Sequence, residues 1–255
     1  MGKNNQKGVA NILAMVVLVL GLLAGLYLSQ NPTFFKPRAA EPTKQTVSAP
    51  IDKTPPVVNI TKVTGALMIN PTNGFIKGDR AEVLATATDN VGVKKVDFYI
   101  DTGIIGSTTT SPYYAVWNTK ALVDGSKHLV YAIGRDAAGN PGSSIYVNIT
   151  MDRTPPSLTV NSPLNGGTVI LGTVQAITTT NVSDKVSGVN NVVFQVNNGT
   201  NNATICTVSA SPYNCNWTVP AQAGFYTITV TATDKAGNPT VSTVKVYAQK
   251  SKTSK

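Results

Sequence analysis

The sequence predicts an all-β protein: two tandem β-sandwiches following one N-terminal transmembrane helix. Three observations lead there. Asp52-Lys53-Thr54-Pro55-Pro56 returns as Asp152-Arg153-Thr154-Pro155-Pro156, and Ser111-Pro112-Tyr113 and Trp117 return as Ser211-Pro212-Tyr213 and Trp217, each displaced by 100. Between these landmarks the chain is rich in Thr, Val, Asn, Gly and Pro, only 13% of residues are charged, and short runs alternate apolar with polar residues, which suits strands rather than exposed helices. A long uncharged apolar run stands near the N-terminus.

That run, Val9 to Leu28, covers roughly 30 Å at about 1.5 Å per helical residue, the thickness of a bilayer's hydrocarbon core. Lys3 and Lys7 precede it, so charge asymmetry puts residues 1–8 in the cytoplasm as a tail and the rest of the chain outside. A cleaved signal peptide shares these traits. The apolar run exceeds the usual length of a signal peptide's core, however, and no small-x-small site follows it closely, which favours an uncleaved anchor. The expected location is therefore the cell membrane, single-pass, with extracellular C-terminal domains. Gly21 and Gly25 form a small-xxx-small pair through which two such helices could associate as a homodimer.

Residues 29–51 hold Pro32, Pro37, Pro42 and Pro50 among polar neighbours and read as an extended stalk. Two repeats then occupy 52–150 and 151–248, and a basic tail fills 249–255. Most of the formal charge of +9 lies in the flanks: residues 52–248 carry 13 Lys plus Arg against 11 Asp plus Glu. Nucleic-acid binding by the repeats is not expected. In the first repeat Val83, Ala85 and Ala87 share one strand face, as do Val96, Phe98 and Ile100, and Ile145, Val147 and Ile149. The second repeat offers Val192, Phe194 and Val196, then Tyr226, Ile228, Val230 and Ala232, then Val244 and Val246. About seven short strands per hundred residues, punctuated by Asp124-Gly125, Asn198-Gly199 and Ala-Gly-Asn turns, is the pattern of an immunoglobulin-like sandwich.

The run VGVKKVDFYIDTGIIGSTTTSPYYAVWNTKALVDGSKHLVYAIGRDAAGN, with its I-G, P-Y, D-G and D-x-A-G-N elements and a following D-x-T-P-P, resembles bacterial Ig-like domains of the Big superfamily. The likeness covers the first repeat well and the second more loosely, because 181–191 and 219–224 depart from it. It implies the fold and a tandem habit, and no reaction.

Acids supply the candidate site. If Asp52 opens the first strand, Asp89 ends the second and Asp136 opens the turn between the last two, the three meet at one end of the first sandwich. Asp152, Asp184 and Asp234 do so in the second. Hard oxygen ligands gathered in this way suit Ca²⁺, and Asn140 and Asn238 could add carbonyl oxygens. Asp124, at the opposite end of the first repeat, is expected to face the junction where Asp152 enters the second and to act there as a further Ca²⁺ ligand, in an inter-domain calcium clamp. The alternative is purely structural, since Asp, Asn and Gly are also good turn formers.

Cys206 and Cys215 flank Ser211-Pro212-Tyr213; if that segment turns between antiparallel strands, the two fall opposite each other and a disulfide becomes feasible, the alternative being two buried thiols. Trp117 and Trp217 recur at one repeat position, which favours a core role over carbohydrate stacking. His128 is the lone histidine, and no Ser or Cys partner is suggested nearby, so a triad or zinc site is not expected. Asn59, Asn148, Asn181, Asn198, Asn202 and Asn216 sit in Asn-x-Ser/Thr sequons.

These residues support no reaction mechanism. The expected function is structural or adhesive, toward an unknown surface protein or glycan, with the Asn-rich stretch 197–202 as an exposed candidate loop. An accessory subunit of a membrane or secretion complex and a carbohydrate-binding surface module are the alternatives.

Overall fold

A computed structural model describes residues 5–30 and 51–251. Nearly all of the expected stalk, the first residues of the expected N-terminal tail and the last of the basic tail lie outside the described residues. The N-terminal segment forms a helix, α1 (Asn5–Gln30). Among the described residues no helix is long and apolar enough to cross a membrane. This corrects the expected transmembrane helix over 9–28, and with it the single-pass cell-membrane location with a cytoplasmic N-terminus and extracellular domains. Gly21 and Gly25 lie one turn apart in α1, with nothing within 4 Å of a Cβ at either.

From residue 51 onward the chain is all-β. The first sandwich, domain one, contains β1 (Val57–Val63), β2 (Ala66–Asn70), β3 (Asn73–Ile76), β4 (Arg80–Thr88) and β5 (Val93–Ile100). It continues with β6 (Gly103–Thr108), β7 (Tyr113–Asn118), β8 (Lys127–Asp136), β9 (Pro141–Ser143) and β10 (Val147–Met151). One sheet has the order β1-β4-β7 and the other β2-β3-β10-β8-β5-β6, with β9 paired to β8. The chain changes sheets early. β1 is antiparallel to β4, whereas β3 runs parallel to β10 with Asn73 opposite Asn148 and Ile76 opposite Met151.

Domain two repeats the plan with β11 (Ser157–Ser162), β12 (Thr168–Ile170), β13 (Val174–Ser183) and β14 (Val189–Asn197), then β15 (Asn202–Val208), β16 (Cys215–Thr218), β17 (Gly224–Asp234) and β18 (Pro239–Gln249). Its sheets are β11-β13-β16 and β12-β18-β17-β14-β15.

Period-two alternation decides which side chains enter each core. In β17, Tyr226, Ile228, Val230 and Ala232 are buried while Thr227, Thr229 and Thr231 point outward, and β-branched Thr is well suited to such a half-buried surface. Phe98 and Phe194 are fully buried at matching places in β5 and β14, each contributing about 2–3 kcal/mol by removal of apolar surface from water. One expected strand is broken. Ile145 was expected to share a face with Val147 and Ile149, yet it is exposed. Ser144 folds back on Ala132, its backbone amide donating to Ala132 O and its hydroxyl accepting from Ala132 N, so the pairing is interrupted between β9 and β10 and Ile145 turns outward.

Candidate metal centres at the domain ends

Each sandwich gathers three aspartates at one end. One carboxylate oxygen each of Asp52, Asp89 and Asp136, and likewise of Asp152, Asp184 and Asp234, lies within 4.8 Å of the others. Topology explains the meeting. Asp152 precedes β11, Asp184 follows β13, and Asp234 ends β17, so strands from both sheets deliver their ends to one place.

Local hydrogen bonds hold the acids there. Asp234 Oδ1 accepts from Asn238 N (2.7 Å) and its Oδ2 from Asn238 Nδ2 (2.8 Å), and Nδ2 also donates to Asp152 O (3.0 Å). Asp136, Asn140 and Asp52 reproduce this set at 2.8, 2.6 and 3.0 Å. The Ala-Gly-Asn motif therefore ties the last turn to the entry of the first strand, with Gly139 and Gly237 supplying the positive φ (94° and 83°) the turn needs. Asp184 Oδ1 accepts from the amides of Val186, Ser187 and Gly188, and Asp89 Oδ1 from those of Val91 and Gly92.

Turn-forming thus occupies part of the carboxylate capacity and leaves the rest. Oδ2 of Asp52, Asp89 and Asp152 is buried without a hydrogen-bond partner. Asp152 and Asp234 are fully buried, and Asp136 nearly so. Among the described residues, none of the six pairs with a Lys, Arg or His. Burial, followed by repulsion from Asp184 and Asp234, pushes the Asp152 carboxyl above its ordinary value. At Asp136 burial acts in the same direction, but hydrogen bonds from the Asn140 side chain and nearby backbone amides outweigh it and hold the group below.

Asp124 does not join either cluster. Its Oδ1 accepts from Arg153 N and its Oδ2 from Thr154 Oγ1, so it receives the linker instead. The Arg153 guanidinium then reaches domain one, donating to Thr119 O (2.8 Å), Leu122 O (3.0 Å), Gly78 O (3.3 Å) and Asp79 Oδ1 (3.3 Å). Asp152 N donates to Ile76 O (2.8 Å), and Lys77 Nζ donates across the junction to Gly237 O.

His128 has partners that its sequence surroundings did not suggest. Its Nε2 lies 2.9 Å from Ser126 Oγ and its Nδ1 2.8 Å from Asp101 Oδ2, while its ring meets Trp117 edge-on at 5.7 Å. This Ser–His–Asp chain corrects the expectation that no Ser partner is near. Its counterpart in domain two shows what the position does. Tyr226 packs on Trp217 at 5.3 Å and its hydroxyl donates to Gln222 O (3.0 Å), so both residues tie the preceding loop to its strand.

Trp117 and Trp217 are only 4% exposed and belong to the cores. Cys206 and Cys215 form a disulfide with Cα atoms 6.3 Å apart. The strands it joins, β15 and β16, belong to different sheets, so the bond staples the sandwich edge rather than an adjacent strand pair. In the chain-entropy account a loop this short contributes about 3 kcal/mol. Domain one closes the same edge by close packing, with a Cβ on Gly106 falling 2.9 Å from Ala115 Cβ. The Asn-rich turn joining β14 to β15 is closed by its own side chains: Asn197 Oδ1 accepts from Gly199 N, and Asn198 Oδ1 from Thr200 N and Asn201 N. Of the six sequons, all but Asn198 lie within strands.

Comparison with known proteins agrees with this geometry. No curated protein sequence is significantly similar to the chain. Among solved structures, the fibronectin(III)-like modules of Clostridium thermocellum CbhA share the fold at 23% identity and a TM-score of 0.58, over 78% of this chain and 97% of that one. The FN1-FN3 domains of chicken CNTN1 align at 14% identity and a TM-score of 0.49, over 77% of this chain and 67% of that one. Residues 66–130 and 156–230 each match the model of the bacterial Ig domain. These two stretches fall one in each sandwich and together cover more than half of the chain, which therefore belongs to the bacterial Ig domain family.

Proposed function

We propose that the protein is a non-catalytic structural spacer with an adhesive role, in which two Ig-like sandwiches are seated end to end as one stiff unit. The observation that carries this reading is the junction. Arg153, at the start of domain two's repeat, delivers its guanidinium to three carbonyls and one carboxylate of domain one, while Asp124 accepts from the Arg153 amide and the Thr154 hydroxyl. A slack tether would leave these groups to water. Charge-assisted hydrogen bonds to a half-buried guanidinium are worth about 1.5–3 kcal/mol each before screening. Arg153→Ala is expected to widen the interdomain distance distribution seen by small-angle scattering and spin-label measurements, without lowering either domain's own melting transition. Independent tumbling of the two sandwiches in the unaltered chain would sink the spacer reading.

A second reading, adhesion through the outer face of domain one, is favoured by a specific observation. Tyr99 and Tyr131 stack at 5.0 Å and Tyr146, 54% exposed, meets Tyr131 edge-on at 5.0 Å. Domain two has Gln195 opposite Thr229 at the corresponding strand pair, so the repeat does not require these rings. Aromatic platforms of this kind suit sugar faces and protein hot spots. If this face is adhesive, Tyr131→Ala removes a glycan-array or cell-surface pull-down signal that the unaltered chain gives; a signal undiminished by the change assigns the binding elsewhere.

A further inference from the structure

We propose that the Asp152–Asp184–Asp234 cluster binds a divalent cation of the Ca²⁺ type, and that the ion braces the three loops on which domain one is seated, so that its occupancy sets the stiffness of the junction. The inference rests on the spacer reading and adds a regulator to it.

The ligand chemistry comes first. Three carboxylates with no nitrogen or sulfur donor among them select a hard cation, and Ca²⁺ accepts six to eight oxygens in irregular geometry, with water completing what the protein does not supply. The cluster carries a mark that turn formation does not explain. Asp152 is fully buried, and its Oδ2 has no hydrogen-bond partner. Leaving a buried carboxylate oxygen unsatisfied beside two further carboxylates is costly, and an ion among them removes that cost.

The coupling follows from where each ligand sits. Asp152 is held to domain one by its own amide on Ile76 O, and the two residues after it are held by Asp124. The loop of Asp184 places Val186 Cγ2 3.9 Å from a Cβ built on Gly125 of domain one. The turn after Asp234 offers Gly237 O to Lys77. All three ligand-bearing segments are therefore also docking segments. Without an ion, mutual repulsion of three close carboxylates pushes these segments apart; with one, they are drawn to a common centre. Asp52, Asp89 and Asp136 form the same arrangement at the other end of domain one, away from this junction, and supply an internal control.

The test uses the full chain with CaCl₂ or EGTA, reading Ca²⁺ binding by calorimetry and interdomain geometry by spin-label distances. Asp184→Asn keeps an Oδ1 for the amides of Val186, Ser187 and Gly188, so the loop is preserved while a charge is lost. Calcium is expected to narrow the interdomain distribution of the unaltered chain. Asp184→Asn should weaken binding at the junction by at least about tenfold and abolish the narrowing, whereas Asp89→Asn should leave it intact. Absence of Ca²⁺ binding overturns the proposal while leaving a stiff junction, and hence the spacer reading, in place. Binding with an unchanged distance distribution overturns the coupling, and independent tumbling with and without ion overturns the spacer reading together with it.

Discussion

Trp217→Ala is expected to lower the stability of domain two by about 3–5 kcal/mol, and Trp117→Ala to do the same to domain one. Each indole lies in the β7 or β16 strand of the smaller sheet, is 4% exposed, and packs on the ring of the residue that ties down the loop before the next strand: His128 in one domain, Tyr226 in the other. Removing it leaves a cavity between the sheets and deprives that ring of its support, so both the transfer of apolar surface and the residual void count against the fold. Scanning calorimetry should show the affected domain melting many degrees earlier, with the other domain changed little. A change below 1 kcal/mol accompanied by loss of sugar binding would instead return the tryptophans to a stacking role.

Gly142→Ala is the second large effect. In β9 a Cβ on Gly142 would fall 1.7 Å from Pro56 O, a backbone atom with no rotamer by which to retreat. The entry of the first strand or β9 itself must move, at a cost of about 3 kcal/mol or more. Domain two resolves the same approach differently, with Thr240 donating its hydroxyl to Pro156 O. Thr240→Ala should therefore cost only about 1 kcal/mol, the worth of one hydrogen bond. Chemical denaturation of the two variants side by side checks the contrast. Equal losses would mean that the strand entry in domain one is softer than its backbone contact implies.

The candidate site was unusually legible because it is built from chain ends of strands. Asp52, Asp89 and Asp136 are far apart in sequence, yet a sandwich of known strand order must bring those positions to one end, and the second repeat restates the requirement. Asp124 lies at the junction, but it was expected there as a calcium ligand and instead accepts from Arg153 N and Thr154 Oγ1. Whether its oxygens face an ion or the linker depends on the path of Arg153 and Thr154, which only docking of the two domains fixes. Strand register within domain one hid Ser126–His128–Asp101, since Asp101 reaches His128 from the end of β5 across to β8.

By itself the sequence determined the tandem all-β architecture, the pairing of landmark residues between repeats and the convergence of two aspartate triads, because alternation and repetition act locally and at fixed spacing. Tertiary structure decided what depends on distances between sheets and between domains: that the disulfide staples one sheet to the other, that Ile145 leaves the core, and that Arg153 closes the junction. It also reversed the reading of the N-terminal run, since among the described residues no helix is long and apolar enough to cross a bilayer.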